Sequence, residues 1–547
     1  MTVSSPSRPP VPDVASAAEA EALAWVEAHA AHLAPRMAEA NLALWDAATG
    51  GGEEALERSA RGRMAVERLH MDARDARRVR AWLADPEVRE PLLRRELTLL
   101  DHAFTRSQLP EATLEDLVRR GTELEGTFTR FRAVLGGERV ANNRILDVLG
   151  EERDSAVRRE AWEASKQIGR EVAGPLRELV RRRNAAAREL GFPDYYAMEL
   201  SLQEQDEAGL FAVLDEFRDL SDAPFAAFRA ELDASLAARY GVPPHELRPW
   251  HWQDPFAQEA PAVGAVDLDA CFAGADLVRM AGGFFRGIGL PVDDVLERSD
   301  LWERDGKDQH AFCIDVDRRA DVRVLCNLRP NEKWASTLLH ELGHAAYDVF
   351  LPAELPFILR CPAHTLSTES IAMYMGRLTR DPAWLRDVAG AALSPEQAHD
   401  VRAQLRTAML VSTRWMLVMA YFERELYRDP DRTDLNRLWW DLVERLQLVR
   451  RPDGRDEPDW AAKIHLSTAP AYYHNYLLGE LMASQISAAA RRGVPDGRSI
   501  AGQASVGRFL RERIFAPGAS LDWNALLVHA TGEPLTARYF VQEFVDA

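Results

Sequence analysis

The chain has 547 residues, of which 47% are hydrophobic and 28% charged, enough apolar material for a large core and a normal charge content for a folded protein. Lys plus Arg minus Asp plus Glu is 67 − 86 = −19. That balance repels a phosphate backbone and argues against a nucleic-acid partner. The arginine clusters (Arg94-Arg95, Arg181 to Arg183) read as solvated helix faces. Four cysteines (Cys271, Cys313, Cys326, Cys361) without a Cys-x-x-Cys pair make no disulfide framework. No run of 18 apolar residues offers a membrane span, and the first residues lack the apolar stretch of a signal peptide, so a cytoplasmic protein is expected.

Residues 1–13 are Ser- and Pro-rich and read as a flexible tail. From Val14 to Tyr240 apolar residues recur at helical spacing, as in Leu114, Leu117, Leu124, Phe128, Phe131 and Leu135, with breaks at Gly50 to Gly52, Gly136-Gly137 and Gly191 to Pro193. No fixed repeat period is present. Gly241 to Pro261 is irregular and holds Trp250, His251 and Trp252. Two β-branched, apolar runs follow, His310 to Asp317 and Val322 to Leu328, joined by a polar turn into a hairpin. Helical periodicity then resumes to the C-terminus. The reading is a mostly α chain with a small sheet near its middle.

Directly after the hairpin, Asn331 is placed to cap a helix through NEKWASTLLHELGHAAYDVF. On that helix His340 and His344 are four apart and share one face, one turn between them. Two neutral imidazoles at that spacing suit one zinc ion at about 2.0–2.1 Å each. Glu341 lies beside them, placed to take a proton from the attacking water. The alternative is an ordinary surface pair. However, Leu338, Leu339, Leu342, Ala345 and Ala346 surround it, and buried rings need a common partner. A catalytic zinc takes three protein ligands and keeps a position open. The third is to be sought among Asp348, Glu354, His364 and Glu369. Asp348 lies too far along the helix, and Glu369, opening a second helix near Ser367, fits the gluzincin arrangement best.

With these residues in place, the chain resembles the angiotensin-converting-enzyme-like peptidases, and more distantly the thimet-oligopeptidase family. HELGHAAY is similar to that family's zinc helix, and Glu369 follows His344 by 25 residues, close to the spacing both families use. AKIHLSTAPAYYHNY resembles the family segment whose His and second tyrosine stabilise the oxyanion, here His465 and Tyr476. Its Lys and first tyrosine bind the substrate's terminal carboxylate, here Lys463 and Tyr473. The fit needs one extra residue after His465, so Tyr472 competes with Tyr473. QDPFAQ resembles the segment donating a carboxylate-binding Gln, which is Gln258. The strand beginning His310-Ala311 lies 30 residues before His340, as the family's substrate-binding His does.

The resemblance implies a two-lobed helical gluzincin peptidase with a deep central cleft and a small β-sheet beside the zinc helix. Residues 14–547 would form one unit, 14–245 a largely helical lid or lobe excluding folded proteins and 246–547 the zinc-site core. One Zn2+ per chain is implied. Chloride activation is not expected, because Asn475 stands where the family has a chloride-binding arginine. Met373 replaces the carboxylate that orients a zinc-bound His, so another group must do that work. The expected activity is hydrolysis of short peptides, releasing dipeptides from free C-termini. An oligoendopeptidase on the same fold and a catalytically silent peptide-binding protein are the alternatives. The sequence specifies no oligomeric state.

Overall fold

The computed structural model describes residues 16–261 and 266–546. The tail expected over residues 1–13 lies outside them. The chain forms two compact units, each assembled from three separate stretches: Met1–Gln108, Ala265–Arg402 and Gly479–Leu535 in the first, and Leu109–Gly264, Ala403–Leu478 and Thr536–Ala547 in the second. Both are mostly α, and two small antiparallel hairpins are the only sheets among the described residues. No helix there is long and apolar enough to cross a membrane.

In the first unit, the helices Ala17–Ala48, Gly52–His70, Ala73–Ala84 and Pro91–Arg106 pack around Val26, Leu33, Val79, Trp82, Leu97 and Phe104, all buried. Ser16 caps the first of these, its hydroxyl accepting from the Glu19 N–H at 3.0 Å. The expected central hairpin is present but shorter than its apolar runs. Phe312–Asp315 pairs with Val322–Leu325, with Phe312 opposite Leu325 and Asp315 opposite Val322. Its turn carries Arg318 and Ala320 at positive φ, and the Asp315 carboxylate accepts the Arg318 N–H at 2.8 Å. Asn41 braces the same end by donating to the carbonyls of Asp315 and Val316 at 3.1 and 3.2 Å.

The helix expected after Asn331 runs Glu332–Val349, and the Asn331 side chain accepts from the Trp334 N–H at 3.0 Å. The second helix runs Thr365–Arg377. The two pack closely because Gly343 has no side chain: a Cβ there would lie 2.8 Å from the Ala372 Cα.

The second unit is built on the helices Ser155–Glu189, Glu207–Tyr240 and Leu435–Leu446 and a core rich in tryptophan, including Trp162, Trp415, Trp439 and Trp460. The irregular Gly241 to Pro261 stretch is held by fully buried Arg158, whose guanidinium donates to the carbonyls of Glu152, Trp250 and Trp252. Where the sequence showed only a break at Gly136-Gly137, the structure has a second hairpin, Ala133–Leu135 with Glu138–Val140. Both glycines adopt the positive φ that a two-residue hairpin turn requires.

Candidate metal and substrate sites

One turn of helix sets His340 and His344 with ring centroids 4.9 Å apart. From the neighbouring helix Glu369 brings its Oε2 to 3.6 Å from His340 Nε2 and 3.8 Å from His344 Nε2. Ligand atoms of these three lie within 4.8 Å of one another, the one such group of three His, Cys, Asp or Glu among the described residues. Burial lowers the imidazole of His340 to a pKa of about 4. Burial, together with the neighbouring His340, lowers His344 to about 3. Both rings are therefore neutral near pH 7 and carry a lone pair for a metal. The donor set, two neutral nitrogens and a carboxylate, suits zinc with a position left open.

The group that orients His344 is one the sequence reading did not find. His344 Nδ1 lies 2.7 Å from Thr368 Oγ1, and a tautomer donating Nδ1–H to that oxygen leaves Nε2 free as the ligand atom. Thr368 directly precedes Glu369, so a single turn of the second helix provides both a metal-facing carboxylate and the support for a metal-facing ring. Met373, the position of the family's orienting carboxylate, instead packs near Gly479, where a Cβ would lie 2.9 Å from its sulfur.

Glu341 is buried, and burial, then the nearby Glu369 carboxylate, raise its pKa to about 8, against the lowering effect of the Cys313 backbone N–H. The hairpin thus contacts Glu341 directly. A cavity of about 570 Å³ in this unit is lined by Met37, Ala311, Cys313, Glu341 and the three metal-facing residues, among others. Ala311 belongs to that wall. His310 is exposed and does not line it, its N–H resting on the Asp308 carboxylate at 2.9 Å. Of the other third-ligand candidates, Glu354 is exposed and His364 caps the second helix, its Nδ1 accepting from the Leu366 N–H at 2.9 Å. Asp348 lines the same cavity.

The remaining candidates gather in the second unit. Lys463 Nζ donates to Gln258 Oε1 at 2.6 Å, and its ammonium faces the rings of Trp415, Phe256 and Tyr473 at 5.1, 5.4 and 5.7 Å from their centroids. Burial lowers Lys463 to a pKa of about 8, against the raising effect of Asp254 and Glu259. Tyr473 packs on His465, centroids 5.3 Å apart, and its hydroxyl accepts from Trp415 Nε1 at 2.6 Å. Tyr472 and Tyr473 both pack against Tyr476, at 5.4 and 5.2 Å, but the contacts to Lys463 and His465 are made by Tyr473. Of the two competing tyrosines, Tyr473 is therefore the one grouped with Lys463 and His465. Asn475 spends its amide on neutral partners, donating to Gln203 Oε1 at 3.1 Å and accepting from Gln205 Nε2 at 2.7 Å.

Two buried ionisable side chains shape this segment, and one of them, Arg183, corrects the expectation that Arg181 to Arg183 form a solvated helix face, because its guanidinium is turned inward onto Tyr427 and Ser467. Glu423 accepts the Ala471 N–H at 2.8 Å, holding Ala471 at φ 51° just before the tyrosines. Arg183 donates to the Ser467 carbonyl at 2.8 Å.

Comparison with known proteins agrees with this geometry. Residues 297–546 match the model of peptidase family M3, and residues 16–241 match the model of the peptidase M2 family, angiotensin-converting enzyme. No curated protein matches the sequence. Both families are zinc-dependent metallopeptidases acting on peptides. The M3 match contains His340, Glu341, His344 and Glu369, and the M2 match covers the N-terminal helices. The chain is thus similar over separate halves to two families of zinc metallopeptidases, and the matches support a zinc metallopeptidase.

Proposed function

We propose that this metallopeptidase is a peptidyl-dipeptidase that removes dipeptides from the free C-termini of short peptides. The observation that carries the reading is the pairing of Lys463 with Gln258 against Tyr473 in a buried, aromatic-walled setting. An ammonium and an amide side by side are a receptor for a carboxylate. A peptidase cutting internal bonds has no use for one.

His340, His344 and Glu369 would hold a single zinc ion, which when bound supplies Lewis acidity and lowers the pKa of a coordinated water toward about 7. Glu341 acts as general base: a carboxylate oxygen takes a proton from the attacking water and returns it to the leaving amine nitrogen. His465 and Tyr476 donate hydrogen bonds to the developing oxyanion, each worth about 10²–10³ in rate. Lys463, Gln258 and Tyr473 bind the terminal carboxylate, which sets the cut two residues from the end. Ala311 and the hairpin edge align the extended substrate through backbone hydrogen bonds. His310, exposed and outside the cavity lining, is given no contact with substrate in this scheme.

The test is mass-spectrometric mapping of products from short peptides with free and with amidated C-termini, using wild type and Glu341→Gln. Sequential loss of dipeptides from free C-termini alone, absent in the variant, is expected. Internal cuts indifferent to amidation would reassign the protein as an oligoendopeptidase. Peptide binding with no cleavage by zinc-loaded wild type would make it a silent binding protein.

A further inference from the structure

The Lys463–Gln258 pair depends on a turn whose shape is unfavourable by itself. Ala257, immediately before Gln258, sits at φ 50°, a left-handed conformation that a residue with a Cβ seldom adopts. Two buried side chains hold it there. Asp254, 3% exposed, accepts three backbone N–H groups: from Phe256 on Oδ1 at 2.8 Å, from Gln258 on both oxygens at 3.2 and 3.0 Å, and from Glu259 on Oδ2 at 3.0 Å. Gln447, 2% exposed, donates its Nε2 to the carbonyls of Phe256 and Ala257 at 3.2 and 2.8 Å. The carboxylate thus gathers the turn's N–H groups while the amide secures the carbonyls flanking the strained residue.

The consequence is felt at the Gln258 amide. Its Oε1 accepts from Lys463, so its Nε2 is the end that remains to donate. The ring of Phe256, set by the same turn, is approached by two lysine side chains, with Lys166 Nζ 3.2 Å and Lys463 Nζ 5.4 Å from its centroid. If the turn relaxed, the amide, the ring and the lysine's partner would shift together.

We propose that Asp254 and Gln447 are positioning residues for recognition of the substrate's free C-terminus, acting by locking the 254–259 turn so that Gln258 is presented beside Lys463. The proposal rests on the carboxylate-binding reading given above. Neither residue need touch substrate. Asp254 supplies the negative charge that keeps the turn's N–H groups gathered, and Gln447 prevents Ala257 from flipping to an ordinary φ.

The experiment measures kcat/KM for one peptide with a free and with an amidated C-terminus, and takes the free-to-amide ratio for wild type, Lys463→Ala, Asp254→Asn and Gln447→Ala. Lys463→Ala should collapse the ratio. Asp254→Asn should lower it about tenfold and Gln447→Ala about threefold, both through KM rather than kcat, as expected for weakened charge-assisted hydrogen bonding. In Asp254→Asn, adding Ala257→Gly should recover part of the ratio, because glycine adopts the left-handed conformation without help. A general loss of fold would not be rescued in that way. The proposal is overturned if Lys463→Ala collapses the ratio while Asp254→Asn and Gln447→Ala leave it within twofold. If Lys463→Ala itself leaves the ratio unchanged, the carboxylate reading fails first and the positioning role with it. Should Asp254→Asn lack a cooperative thermal transition, Gln447→Ala decides by the same criterion.

Discussion

The metal-facing group of the first unit and the lysine-centred group of the second are built on opposite plans. His340, Glu341 and His344 are fixed relative to one another by a single helical turn, and Thr368 and Glu369 by the first turns of the next helix. Two elements and one glycine contact complete the arrangement. Lys463, Gln258, Trp415 and Tyr473 come from four separate places along the chain, and their geometry relies on Asp254, Gln447, Glu423 and Arg183 pinning irregular backbone. The first plan is robust because backbone periodicity sets the spacing. The second depends on buried polar groups whose partners must all be present, and each missing partner leaves an unsatisfied neighbour.

The largest expected effect sharpens this contrast on the metal side. Thr368→Val keeps shape but removes the oxygen that orients His344, and zinc affinity should fall by about 10–100-fold, measured by competition with a chelating dye. Unchanged affinity would mean that helical spacing alone orients the ring.

The next expectation concerns pH at the lysine side. Lys463 has a pKa near 8, lowered by burial from the usual lysine value, so below that pH the ammonium is present and above it is lost. KM for peptides with free C-termini should therefore rise as pH increases through about 8, approaching tenfold per further unit, while amidated peptides show no such inflection. An identical profile for both substrates would remove Lys463 from recognition.

The smallest expected effect tests the glycine contact. Gly343→Ala places a Cβ 2.8 Å from the Ala372 backbone, which cannot yield as a flexible side chain would. A loss of about 1–3 kcal/mol in stability is expected, seen as a lower Tm, with zinc weakening alongside it. A stabilised variant would show that the better helix propensity of alanine outweighs the overlap.

Much of the first region was legible in the residues themselves. Asn331 as N-cap, the two histidines on one face and a carboxylate opening a second helix all follow from local rules, and the structure sets them within a few ångströms. Thr368 escaped notice because a threonine in a helix has many roles, and only the packing of Thr365–Arg377 against Glu332–Val349 turns its hydroxyl toward His344. At Gly136-Gly137 the sequence shows a break and no strands, because three-residue strands are too short to display alternation.

In the second region the sequence identified Lys463, Gln258 and Tyr473 only through resemblance, and left Tyr472 in competition. The choice between adjacent tyrosines turns on the direction of the chain at Ala471, whose positive φ is held by a glutamate 48 residues away. By itself, then, the sequence determined the helical class and the grouping of His340, His344 and Glu369 with Glu341 beside them, because those depend on periodicity and on contacts within one or two turns. The division into two interleaved units, the support of His344 by Thr368 and the turn that carries Gln258 were decided by tertiary structure alone. Each depends on contacts between residues far apart in the chain, and a linear pattern does not record which of them meet.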